Sequence, residues 1–412
     1  MNKLPFYRGW TIVAAGFICA VIGVGATVYS FGAIVAPVSE EFGLSRAATN
    51  SGYALFLLGM AIWSPLVGRL LDRAPARLIM LIGAASFALG FTAMALAQAP
   101  WQMGVAALTL VAFGTASGGA LAANTVTARW FNRRRGRAMG ILAVASSTGG
   151  FVVTPTAAYL VETTTWREAV LVVGWSGAAL IAIAVLLLIR DRPSAVGLTV
   201  ENVPASIDQS AAEGEPWPWR RIISNRNFWL ITFGTGVLLA SDQAMLASLI
   251  PYGQDLGFTL SKAAQIVAVL TASSIIGKLV IGFLADHVDK RALFIVVVIC
   301  HIAFNLALVA QPSFGTLLVI ASFTGLATGG VYPVWTTLTA EVFGSRSFGS
   351  IMGAMAIVMQ PLAIVLISFV GQSYDNTGDY RQSFMVFAGL AVLSAILVTL
   401  VQRPKPSTSH PQ

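Results

Sequence analysis

Gly68-Arg69-Leu70-Leu71-Asp72-Arg73 closes one apolar run, and Gly282-Phe283-Leu284-Ala285-Asp286-His287 closes another 214 residues later. The spacing returns twice more. Trp130-Phe131 is echoed by Val342-Phe343 at an offset of 212, and Gly136-x-x-x-Gly140 by Gly349-x-x-x-Gly353 at 213. Three features at nearly one offset describe a duplicated chain. Between the copies, residues 191–222 hold Pro193, Pro204, Pro216 and Pro218 among Ser, Ala and Glu, the composition of a solvated linker.

The 412 residues are 56% hydrophobic and 10% charged, with a mean hydropathy of +0.78. Soluble domains carry about 25% charged residues, so this chain could not cover a surface in water. In lipid, backbone polar groups must be satisfied inside helices or closed barrels. The apolar runs reach about 20 residues or more without alternation, which reads as helix. Helices are predicted near 10–37, 47–71, 78–98, 101–130, 137–160, 167–190, 227–251, 261–285, 292–311, 314–343, 348–373 and 382–402. The expected fold is an all-α membrane protein with twelve transmembrane helices in two pseudo-symmetric six-helix bundles, 1–190 and 223–403. A cytoplasmic linker, 191–222, joins them, and a disordered cytoplasmic tail, 404–412, follows.

A net charge of +8 invites a nucleic-acid reading, but its placement excludes one. Of 25 Lys and Arg, 20 fall on one alternating set of connections and termini, and four, Arg46, Arg167, Lys262 and Arg381, on the other. That asymmetry puts both termini in the cytoplasm. Cys19 and Cys300 lie inside apolar runs and imply no disulfide framework. The first apolar run is too long for a cleavable signal and lacks a small-x-small site. The sequence shows no phosphate-binding loop, no metal-ligand cluster and no nucleophile–base pair, so neither a cofactor nor enzyme chemistry is expected.

Lys278, in the eighth helix, is the remaining cation. It lies eight residues before Asp286, about 12 Å from the helix end at 1.5 Å per residue. An ammonium in hydrocarbon is costly and marks a functional site, where it would bind a substrate carboxylate. Asp242, in the seventh helix, is the matching acid and a candidate proton carrier. Counting places it about 20 Å deep, which leaves contact with Lys278 open. Tyr29 and Tyr332 offer hydroxyls in apolar stretches that a ligand carboxylate would satisfy. Asn124, Gln243 and Gln360 are further substrate-binding candidates, weighed against bonding between helices. His301 reads as a packing residue before a proton relay. Asp72, Arg73, Arg77, Asp286 and Arg291 sit at helix ends on the linker side, where a carboxylate between helix ends would latch one state.

The Gly-x-x-x-Asp-Arg loop, its echo and the six-plus-six layout resemble the major facilitator superfamily. Tyr7-Arg8-Gly9-Trp10, Tyr29-Ser30-Phe31-Gly32 with Pro37, Glu41-Phe42-Gly43-Leu44-Ser45, Ala128-Arg129-Trp130-Phe131 with Arg134-Arg135-Gly136, and Glu341-Val342-Phe343-Gly344 are similar to its monocarboxylate transporter and oxalate/formate antiporter branch. The resemblance implies a bacterial inner-membrane protein, working as a monomer by alternating access, that moves a small organic anion, a monocarboxylate, in symport with protons. Anion exchange is the rival scheme, and a solute receptor a more distant one. Lys278 matches an Arg that binds the substrate carboxylate, and Tyr29 and Tyr332 match aromatic positions of the cavity. The branch's acid four residues before that cation is Ser274 here. Its second cation, used for dianions, falls on neutral Met355, which implies a singly charged substrate.

Overall fold

The computed structural model describes residues 9–131, 134–191, 219–343 and 348–402. Every regular element among them is helical. Twelve helices are long and apolar enough to cross a bilayer. They are α1 (Gly9–Phe42), α2 (Arg46–Leu71), α3 (Ala76–Ala95), α4 (Pro100–Trp130), α5 (Arg137–Thr163) and α6 (Trp166–Leu188), then α7 (Arg226–Asp255), α8 (Leu260–Leu284), α9 (Lys290–Val309), α10 (Phe314–Phe343), α11 (Ile351–Thr377) and α12 (Arg381–Thr399). By parity, the start of α1 and the end of α12 share one face, called here the terminal face.

Several helix ends differ from expectation by up to five residues, and two of the differences bear on packing. The first helix runs past Pro37 to Phe42, because proline removes one donor without breaking a helix whose other groups stay paired. Gly43, at φ 60°, then stops it in the left-handed conformation, and the Ser45 hydroxyl caps α2 by accepting the Ala48 N–H. The linker ends earlier than expected, in a short helix at Trp219–Ile223 whose Ile222 is buried against the second bundle. The rest of the expected linker, the tail from 403, Tyr7, Arg8, Arg133 and Gly344 lie outside the described residues.

The halves are α1–α6 and α7–α12. Away from the terminal face, one apolar core runs through both, uniting Tyr53, Phe56 and Phe91 with Leu249, Ile250 and Phe384. Toward the terminal face it divides. One cluster around Leu71, Met80 and Trp130 belongs to the first half, and one around Phe228, Phe294 and Met355 to the second. The halves are therefore fused on the far face and part toward the terminal face.

Lipid supplies no hydrophobic drive between helices, so close approach falls to small residues. Helices α8 and α10 interlock this way: a Cβ on Gly277 would strike the Leu326 carbonyl, and one on Gly325 the Leu270 carbonyl. Backbone cannot yield. Gly277→Val is expected to cost at least about 2–3 kcal/mol and lower the thermal unfolding midpoint. Gly389→Ala, where a methyl would meet open space, is the control expected to leave the midpoint unchanged.

Candidate functional site: a polar seam between the halves

Helices α5 and α8 face each other across the halves. Lys278, Ser274 and Thr271 form one stripe of α8, because residues three and four apart share a helix face. The Lys278 ammonium donates to the Ala143 carbonyl and the Ser146 hydroxyl of α5, both at 2.7 Å. One turn on, the Ser147 and Ser274 hydroxyls are 3.1 Å apart. Ala143 and Lys278 each lie six residues inside their spans, about 9 Å from the terminal face. The nitrogen thus points into the interface between halves, and two of its three donors are taken.

Tyr29 completes the seam from α1. It ends a five-residue π turn, Gly25–Tyr29, a local unwinding common at functional sites. Its ring packs beside Gly150 of α5, and its hydroxyl lies within electrostatic reach of Asp242.

Asp242 does not pair with Lys278. Its carboxylate oxygens lie 2.9 and 3.1 Å from Nε2 of His301 on α9. Asp242 is 6% and His301 2% exposed. Nδ1 of His301 is 2.8 Å from the Val297 carbonyl, and the Thr328 hydroxyl of α10 is 3.3 Å from Nε2. His301, read from sequence as a packing residue, is thus the partner of the buried acid. The available signal was that two costly polar groups in one half must each find company.

The other expected residues are more scattered. Tyr332 is half-exposed and packs edge-on against Trp335, with ring centroids 5.4 Å apart. Asn124 is exposed, and Gln243 and Gln360 are partly so. None of the four hydrogen-bonds Lys278. Met355, at the position of the branch's second cation, is fully buried within the second half, 3.9 Å from the Thr339 hydroxyl.

Of the expected gate residues on the terminal face, Arg77 and Arg291 bond within their own halves. The Arg77 guanidinium donates to the Leu186 carbonyl at 2.7 Å, and its backbone N–H donates to Asp191 at 2.9 Å, tying α3 to α6. Arg291 repeats this in the second half, donating from its guanidinium to the Val401 carbonyl. Arg73 is exposed. The side chains of Asp72 and Asp286 lie outside those described.

A latch that sequence reading missed lies on the far face. Helix N-termini present unpaired N–H groups and the positive end of the helix dipole. The Asp375 carboxylate of α11 accepts the backbone N–H groups of Arg46 and Ala47 at the start of α2, at 2.8 and 3.0 Å. The Glu162 carboxylate of α5 accepts the Ser261 N–H at 2.8 Å, and also its hydroxyl, at the start of α8. Each half thus caps a helix of the other. The Arg46 guanidinium adds a contact to Asp255 at 3.5 Å and lies over the Tyr374 ring, 5.3 Å from its centroid. Glu162 and Asp375 are 213 residues apart, so the duplication itself supplies both caps.

Twelve spans in two repeated bundles, closed at one face and joined by a polar seam, form the architecture of a two-bundle membrane transporter. The pattern of the Major Facilitator Superfamily matches residues 16–309 and 232–412, and the chain belongs to that family. It is 25% identical to Monocarboxylate transporter 13 of Rattus norvegicus over 416 residues, covering 98% of this chain and 92% of that protein. It is 23% identical to the uncharacterized MFS-type transporter YcxA of Bacillus subtilis, covering 97% of each. Among solved structures, a bacterial homolog of the human lysosomal transporter Spinster, inward-facing and unoccupied, superposes with a TM-score of 0.74 at 17% identity, covering 98% of this chain and 100% of that one. A D-xylose-proton symporter gives 0.76 at 14% identity, covering 96% and 98%.

Proposed function

We propose that the protein is a secondary active transporter of a small organic anion, a monocarboxylate, moved by alternating access in symport with protons. It works as a monomer in a bacterial inner membrane with both termini in the cytoplasm. The supporting observation is the Lys278 ammonium lodged between the halves with one donor left over. A carboxylate entering from the terminal face would take that donor and compete with Ala143 and Ser146 for the rest. Binding would thereby loosen the α5–α8 contact that holds the halves together. The similarity to proteins named monocarboxylate transporters supports the same class. One full charge in the seam, with no Lys or Arg anywhere in α11, favours a singly charged solute. Tyr29 would orient the anion beside Lys278.

A thermal-shift screen of purified protein tests this. A ligand at a hundred times its Kd stabilises the folded state by about 2.7 kcal/mol. A monocarboxylate is expected to stabilise the wild type and not Lys278→Gln. Stabilisation by neutral sugars or organic cations instead, equal in both proteins, would overturn the assignment.

A further inference from the structure

We infer that Asp242 and His301 form a single proton-binding site, in which His301 is the positioning residue that sets when Asp242 gives up its proton. The inference rests on the transporter reading above and is independent of which solute is carried.

The argument is one of donors and acceptors. Nδ1 of His301 faces the Val297 carbonyl, which can only accept, so Nδ1 carries a hydrogen. Nε2 faces both oxygens of a carboxylate. A neutral imidazole protonated at Nδ1 has a lone pair at Nε2. Set against an ionised carboxylate, that lone pair would leave acceptors in contact with no donor between them, in a site almost without water. A second hydrogen must therefore lie between the groups, on Nε2 or on the carboxyl. In either arrangement the pair is electrically neutral and holds one exchangeable proton. Losing that proton to water leaves one net negative charge on the pair, and regaining it restores neutrality.

The surroundings make that charge consequential. On α10 the nearest polar group is the Thr328 hydroxyl, 3.3 Å from Nε2. On α8, Lys278 is committed to α5, and Lys262 sits at the far-face end over the Phe314 ring. Helices α11 and α12, which also pack on α7, carry ionisable residues only at their far-face ends, Tyr374, Asp375 and Arg381. On α9, Lys290 and Arg291 sit at the terminal-face end, and Cys300 is half-buried. Lys290 pairs with Glu341 of α10, and the other titratable group of α10, Tyr332, is half-exposed. No cation on these helices abuts the pair. The group in the other half that feels Asp242 is Tyr29. A deprotonated pair would draw the Tyr29 hydroxyl, whose ring packs beside Gly150 of α5, toward Asp242. Proton occupancy in the second half would thereby reach the α1–α5 side of the seam.

Infrared difference spectroscopy on the reconstituted full chain, titrated between about pH 5 and pH 8 where an imidazole ordinarily changes charge, tests the inference with the proton itself as ligand. Isotope labels on Asp and His assign the bands, and His287 and His410 are replaced in every sample. The wild type is expected to show linked carboxyl and imidazole changes with one midpoint. Asp242→Asn is expected to abolish the carboxyl change, and His301→Gln to retain it with a shifted midpoint. An Asp242 band that stays constant across the range, or a midpoint indifferent to His301→Gln, would overturn the inference. Lys278→Gln is expected to titrate like the wild type. If that variant also binds anions normally, the anion role of Lys278 falls and the proton site stands.

Discussion

Lys278→Gln is expected to cut carboxylate uptake into proteoliposomes by about tenfold to more than a thousandfold while leaving the protein folded. The amide is one bond shorter than the ammonium chain, but the Ser147–Ser274 pair still joins α5 to α8. What the variant loses is the charge. A hydrogen bond to a charged group contributes about 1.5–3 kcal/mol. Removing one member of a buried ion pair costs about 3–5 kcal/mol. At 1.4 kcal/mol per factor of ten, the two ranges together bracket roughly one to more than three decades. Lys278→Arg is expected to retain part of the uptake, because the charge stays while the planar fork must fit a seam built for a compact ammonium. Initial rates of labelled lactate, pyruvate and formate entry measure the effect. Wild-type rates in Lys278→Gln would remove this residue from substrate binding.

Breaking the far-face latch should produce the second large effect, on conformation and not on chemistry. Glu162→Ala with Asp375→Ala strips both cross-half caps at once. A helix cap is worth about 0.5–2 kcal/mol, so losing two shifts the balance of states by about 1–4 kcal/mol. That corresponds to roughly fivefold to nearly a thousandfold in population, enough to turn a minor far-face-open state into a major one. Spin labels at the far-face ends of α5 and α8, in a chain without Cys19 and Cys300, report the separation. A longer distance population is expected in the double variant, and each single variant should supply part of it. An unchanged distance distribution would mean that the shared apolar core alone holds this face shut.

The two halves of the latch show where sequence reading reached and where it stopped. Glu162 and Asp375 stand at the spacing that revealed the duplication. Their partners are backbone N–H groups of Arg46, Ala47 and Ser261, which have no signature in the amino-acid alphabet. Lys278 likewise bonds a main-chain carbonyl. Arg77 and Arg291, expected at a gate of helix ends, each bond within their own half, Arg77 to the last turn of α6 and Arg291 to the Val401 carbonyl just past α12, again through carbonyl oxygens.

The chain alone determined its twelve crossings, its internal repeat, its superfamily resemblance and the two membrane-embedded charges that needed explaining. Those follow from hydropathy, spacing and charge, which are properties of consecutive residues. The pairing of Asp242 with His301, the reach of Lys278 across to α5 and the closure of one face were decided by tertiary structure. Each depends on the rotation and depth of helices relative to one another. Packing of small residues between helices fixes these quantities, and no local pattern encodes them.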